Sequence, residues 1–118
     1  MAAHLELGKQ GEDIAVEFLK LKGYEIIERN WRYRRAEIDI IARLDGKLIF
    51  TEVKTRSSDI FGTPEEFVTH WKQDLVARAA GAYILKVQHD WMIRYDVISV
   101  LYFPDGTHRI EHFEDAFF

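Results

Sequence analysis

The stretch EIDIIARLDGKLIFTEVKTR, residues 37–56, holds two apolar runs around Asp45-Gly46. Asp-Gly between alternating apolar residues is a strong hairpin signal, because the favoured two-residue turn needs positive φ at both central positions. A turn there sets Leu44 opposite Lys47. The same register carries Asp39 opposite Glu52 and Glu37 opposite Lys54. Side chains alternate along a strand, so Glu37, Asp39, Ile41, Phe50, Glu52 and Lys54 are expected on one face. Ala36, Ile38, Ile40, Ala42, Ile49, Thr51 and Val53 fall on the other, as core.

Opposed residues have Cβ atoms about 4.5–5.5 Å apart, and like charges at that distance destabilise a sheet. Stability alone would favour Thr, or a Lys–Glu pair, at such positions. Two opposed carboxylates suit a divalent cation instead. Mg²⁺ takes one or two carboxylates and keeps its other positions for water and phosphate oxygens. Asp39 and Glu52 are therefore the candidate metal ligands, for Mg²⁺ or Mn²⁺. Lys54, two residues beyond Glu52 on the same face, would stand beside the cation, to orient or deprotonate a water or to hold a scissile phosphate. The alternative is the solvated face of an ordinary strand, since a Glu-x-Lys triplet arises easily by chance.

Around the hairpin, Leu7, Gly11, Ile14, Ala15, Phe18 and Leu19 recur at helical spacing, and Gly23 suits a left-handed helix cap. Residues 24–30 are expected as a first strand and residues 57–64 as a loop. A second helix is expected over about 69–87 and a strand over 93–103. Pro104-Asp105-Gly106 turns the chain into a last strand over 107–113. This order predicts one α/β domain over residues 1–118, a mixed sheet flanked by helices, with the second helix as crossover to a parallel strand. On the first helix, Glu6, Asp13, Glu17 and Lys20 share a polar face, whereas Glu12 projects at the margin of the apolar stripe. It is either a flank carboxylate paired to an arginine such as Arg35, or a third acid aimed at the active face of the sheet.

The chain has no cysteine, which excludes disulfides and thiolate metal sites. It shows no basic-then-apolar leader and no apolar run near the roughly 18 residues of a membrane span. A cytoplasmic protein without membrane contact is the expectation. The net charge is −4, which argues against a nucleic-acid partner. The distribution qualifies this: residues 20–56 carry ten Lys/Arg against six Asp/Glu, while the remainder carries six against fourteen. Arg29, Arg32, Arg34 and Arg35 crowd together in this basic third, as a solvated Arg-rich loop or as a phosphate-binding cluster.

A Glu on the first helix, an Asp on one strand and Glu-x-Lys on the next is the order found in PD-(D/E)XK nucleases, and it looks most like archaeal-type Holliday junction resolvases. More closely, the chain resembles the YraN-like family of predicted bacterial endonucleases. The matching stretches are Gly11-Glu12 with Ala15, Gly23-Tyr24, Asn30 with Arg32, Glu37-Ile38-Asp39 with Ile41-Ala42, and Phe50-Thr51-Glu52-Val53-Lys54 with Arg56. Phe61-Gly62, Lys72, Ala79 with Tyr83, and Arg94-Tyr95-Asp96-Val97 continue the match. The resemblance implies a restriction-endonuclease-like fold, Asp39 and Glu52 as metal ligands, Lys54 as catalytic lysine and Glu12 as auxiliary acid. It implies a Mg²⁺-dependent endonuclease acting on nucleic acid, DNA before RNA, with branched, repair or recombination intermediates among its substrates. Resolvases of this superfamily work as dimers, which extends the expectation to a homodimer. Two positions depart from the pattern: Ile38 stands in place of the motif's proline, and Ala36 where the family usually has glycine.

The candidate nucleic-acid contacts are Arg32, Arg34, Arg35, Arg56 and Lys72, with a surface lysine as the plain alternative for Lys72. Trp31 suits either base stacking or packing. Arg94 and Asp96 read as a structural ion pair, and His108 and His112 receive no role. The rival functional reading is a non-catalytic nucleic-acid-binding module on a nuclease fold. A plain structural domain is the third.

Overall fold

Asp45 and Gly46 both adopt positive φ, 51° and 80°, and close the expected two-residue turn with Leu44 opposite Lys47. The computed structural model describes residues 2–57 and 68–117, with side chains from Leu7 onward. The elements are α1 (Ala2–Leu21), β1 (Glu25–Tyr33), β2 (Ala36–Leu44), β3 (Lys47–Ser57), α2 (His70–Val87), β4 (Ile93–Tyr102) and β5 (His108–Phe113). Residues 58–64 of the expected loop, and Phe61-Gly62 with them, lie outside the described residues. The strands lie in the order β1-β2-β3-β4-β5. All neighbours run antiparallel except β3 and β4, which are parallel, with α2 in the connection between them.

Each helix covers one face of the sheet, giving a three-layer α/β domain. Ala15, Val16 and Leu19 of α1 pack on Ile40, Ala42, Ile49, Ile98 and Val100. Val76, Ala79, Ala80 and Tyr83 of α2 pack on Ala36, Ile38, Ile41, Leu48, Phe50 and Val97. Gly23 ends α1 at φ 92°, where a Cβ would be strained, and Tyr24 N–H reaches back to the Leu19 carbonyl at 3.0 Å. Thr69 caps α2, its hydroxyl accepting the Lys72 N–H at 3.2 Å.

Two expectations are corrected. Residues 31–33 extend β1, and Arg34-Arg35 is a tight hairpin turn between Tyr33 and Ala36, not an Arg-rich loop. The alternation of β2 also breaks at Asp39. Ala36 and Ile38 belong to the α2-side core with Ile41 and Phe50, whereas Ile40 and Ala42 face α1. The cause sits on the neighbouring strand. β1 pairs Arg29 with Ile40 and Trp31 with Ile38 but skips the Asn30–Asp39 position between them, and Asn30 adopts φ 52°. A single left-handed residue re-aims the strand as a bulge does. Trp31 is thereby turned into the α2 side, edge-on to Tyr83 at 5.1 Å, as a packing anchor.

Candidate active site

The break in alternation is where charged side chains gather. The β2–β3 ladder is paired as far as Ile40 opposite Thr51. One residue further on, the Asp39 carboxylate enters the gap and its Oδ2 accepts the Val53 N–H at 2.8 Å. The side chain takes the amide that continued strand pairing would have used, and this fixes its position.

Glu52 lies beside it and is only 3% exposed. Its Oε2 is 3.7 Å from Lys72 Nζ on α2, while its Oε1 is buried without a hydrogen-bond partner among the described residues. A carboxylate oxygen in this state wants a proton or a cation. Burial, and then the charge of Asp39, push the Glu52 carboxyl up to about 8; Lys72 and Lys54 oppose this. Burial also raises Asp39, to about 6, with the Val53 N–H opposing and Glu12 adding to the rise. The two acids titrate as a pair, each resisting the ionisation of the other.

The arrangement thus brings together Asp39 on β2, Glu52 and Lys54 on β3, Glu12 on α1 and Lys72 on α2. Glu12 is not paired to Arg35: its Oε1 accepts from Asn30 Nδ2 at 2.9 Å, at the residue whose left-handed turn flips the sheet. Gly11 makes this approach of α1 possible, since a Cβ there would overlap the Thr55 hydroxyl of β3. Lys72, a candidate phosphate contact, is placed as the counter-charge of Glu52, 3.7 Å from its Oε2. That role has no local sequence signal, because it joins α2 to β3 through the fold.

The other candidate cations stand apart from the acids. Arg32 is bound to Glu37 at 3.0 Å, Arg34 and Arg35 occupy the β1–β2 turn, and Arg56 donates to the Thr55 carbonyl at 3.0 Å. Arg94 and Asp96 form the expected ion pair, at 2.8 Å, and it proves to be the centre of a buried network. Arg94 also bonds the Tyr24 hydroxyl and Glu114, and Asp96 bonds His112 Nε2 at 2.7 Å and the Asp115 N–H. His112, to which the sequence assigned nothing, thus ties β5 to β4.

Among the described residues no group of three or more His, Asp or Glu side chains is placed to hold a metal ion. Asp39 and Glu52 are a pair. A pair fits a hard divalent cation that keeps most of its positions for water and phosphate oxygens, and the unpartnered Glu52 Oε1 is an acceptor it could use. The two residues therefore fit Mg²⁺ or Mn²⁺, and do not form an all-protein cage.

The fold and this acid–lysine cluster define a small three-layer α/β protein with a buried carboxylate pair at a break in its sheet. The family described as "Uncharacterised protein family UPF0102" matches residues 11–100 of the chain. A UPF0102 protein of Flavobacterium psychrophilum is 50% identical over 118 residues, covering 100% of this chain and 98% of the relative. One from Bacteroides thetaiotaomicron is 45% identical over 118 residues, covering 100% and 97%. One from Thermodesulfovibrio yellowstonii is 42% identical over 116 residues, covering 98% and 99%. The chain belongs to the UPF0102 family, whose members are the YraN-like proteins.

Proposed function

We propose that this UPF0102 protein is a Mg²⁺- or Mn²⁺-dependent endonuclease of the PD-(D/E)XK kind, hydrolysing phosphodiester bonds in nucleic acid, with DNA as substrate and the cytoplasm as its place of work. The observation that carries the reading is the Asp39–Glu52 pair, buried and mutually repelling, with one oxygen unpartnered among the described residues and two lysines beside it. A merely structural carboxylate in such a place would be paired on both oxygens, as Asp96 is.

The roles follow from what each side chain can reach. Asp39, held through Oδ2 by Val53 N–H, and Glu52 offer acceptor oxygens to the cation. The cation, when bound, offsets the charge that develops on the phosphoryl oxygens. Lys54 presents an ammonium near Glu52, to hold a phosphate oxygen or to orient the attacking water. Glu12, oriented by Asn30, adds a further negative charge toward Asp39 and acts as auxiliary acid. Lys72, its Nζ 3.7 Å from Glu52 Oε2, would hold that carboxylate in place beside a bound cation.

The second reading is a non-catalytic nucleic-acid-binding module, which the excess of Lys and Arg over residues 20–56 would serve. A cleavage screen with Mg²⁺ and Mn²⁺ across branched, single-stranded and duplex DNA and RNA decides between them. The nuclease reading expects cleavage that chelator, Lys54→Ala and Glu52→Gln each abolish. Binding without cleavage by the wild type on every substrate would leave the binding module.

A further inference from the structure

A recess opens between the β1–β2 turn and α2. It measures about 400 Å³ and is lined by Tyr33, Arg34, Arg35, Ala36, Leu75 and Arg78. Three exposed arginines line it, two from the turn and one from α2, and the Arg34 guanidinium lies over the Tyr33 ring, 5.2 Å from its centroid. Arg29, Arg32, Arg43, Arg94 and Arg109 each pair with a carboxylate. Among the described residues, Arg34, Arg35 and Arg78 form no ion pair with any acid. Three exposed cations without a carboxylate partner among the described residues make the recess positively charged and open to an anion.

The backbone adds a second observation. Arg34 sits at φ 57° in a two-residue hairpin turn, a conformation that Gly or Asn adopts with less strain. A turn chosen for stability alone would not carry arginine there. The recess also has an aromatic wall. The Tyr33 ring lies parallel to Trp31, with centroids 6.4 Å apart and planes at 5°, and is partly exposed. Ala36 and Leu75 supply apolar surface. A base can stack on this ring in place of the Arg34 guanidinium, which then joins Arg35 and Arg78 at the phosphate.

Position ties the recess to the carboxylates. Ala36 precedes Asp39 by three residues on β2, about 10 Å along a strand. Leu75 follows Lys72 by three residues on α2, about one helical turn. The volume suits one nucleotide and not a duplex, whose major groove alone is about 12 Å wide.

We propose that this recess is a subsite for one unpaired nucleotide of the substrate strand, its base against Tyr33 and its phosphate among Arg34, Arg35 and Arg78. The subsite selects single-stranded segments, such as flaps and junction arms, next to the carboxylate pair. It rests on the nuclease reading for the identity of that strand, but occupation of the recess needs no cleavage.

The test is fluorescence anisotropy in chelator, with labelled oligo(dT) and with a duplex of the same length, at several salt concentrations. The wild type should bind the single strand more tightly than the duplex. Arg78→Ala should weaken single-strand binding about tenfold and lower the salt slope by about one, whereas Arg78→Lys should keep the slope. Tyr33→Ala should remove the preference for single strand while leaving the slope unchanged. Arg34→Gly should weaken binding yet raise the melting temperature, which a residue kept for structure would not do. Wild-type affinity in Arg78→Ala and Arg34→Gly, or equal wild-type affinity for both DNAs, would overturn the subsite. The two readings fail separately. Arg78-dependent single-strand binding without metal-dependent cleavage retires the nuclease alone. Cleavage lost in Lys54→Ala but unaltered in affinity by Arg78→Ala retires the subsite alone.

Discussion

The Asp39 Oδ2 accepts the Val53 N–H at 2.8 Å, one residue past the last β2–β3 pair, Ile40 opposite Thr51. A side chain thus stands in for a strand at the point where two strands part, and a buried negative charge is placed where it repels Glu52. The contact predicts opposite outcomes for two substitutions. Asp39→Asn keeps an acceptor for Val53 and removes the charge, so in chelator at pH 8 it should match or exceed the wild type in stability. Asp39→Ala leaves the Val53 N–H unsatisfied and should cost about 1–3 kcal/mol. Denaturant melts of both variants check this. With Mg²⁺ or Mn²⁺ only the wild type should gain stability by mass action; parallel shifts in wild type and Asp39→Asn would remove the cation site.

The pH dependence follows from the same pair. Burial raises Asp39 to about 6 and Glu52 to about 8, above the ordinary carboxyl values near 4 that they regain on unfolding. Between those limits the folded chain binds more protons than the unfolded one, so these groups make stability fall as pH rises from about 4 to 8. Asp96 acts in the opposite sense. Burial alone would raise it, but bonds from His112 and Arg94 outweigh burial and lower it, so its stabilisation is lost as pH falls through its depressed value. Thermal melts in chelator should therefore peak on the acid side of neutrality. The alkaline decline should disappear in the Asp39→Asn, Glu52→Gln double variant, and a saturating divalent cation should also flatten it.

Lys72 is one-third exposed and 3.7 Å from the buried Glu52. Its value to the fold depends on whether Glu52 is ionised. Lys72→Met should differ little from wild type near pH 5, where Glu52 carries its proton, and fall progressively behind toward pH 9. Melting temperatures of the two proteins across that range test the pairing. A constant gap would mean that Lys72 contributes packing alone.

The hairpin was legible because Asp45-Gly46 states its own backbone, and the helices because their apolar spacing and the Gly23 cap agree. The gathering of Glu12, Asp39, Glu52 and Lys54 could be expected from register and from family resemblance. What sequence could not show is the reversal of β2 at Asp39. It depends on Asn30 adopting a left-handed conformation on the neighbouring strand and on capture of a Val53 amide, both set by tertiary contacts. The Arg34-Arg35 turn was hidden for a related reason, since arginine at positive φ runs against turn propensity. His112 escaped notice because its partner, Asp96, lies on another strand.

Gly11 gives the last prediction, and its sign is the informative part. In a helix interior, Gly→Ala ordinarily stabilises by about 0.5–1 kcal/mol. Here the added methyl would overlap the Thr55 hydroxyl and stand 3.2 and 3.3 Å from the Thr55 Cβ and Cγ2. Both residues lie in regular elements packed face to face, so α1 must move off β3. Overpacking of this kind costs about 1–3 kcal/mol. Gly11→Ala should therefore destabilise. Adding Thr55→Ala, which removes the hydroxyl and Cγ2, should restore part of the loss, a coupling that a double-mutant cycle in denaturant measures. Displacement of α1 also draws the next residue, Glu12, away from Asn30 and Asp39. Under the proposed nuclease function, cleavage by Gly11→Ala should thus fall more than its folded fraction explains, and recover with Thr55→Ala. Stabilisation by Gly11→Ala would show that α1 does not need this close approach to bring Glu12 to the carboxylate pair.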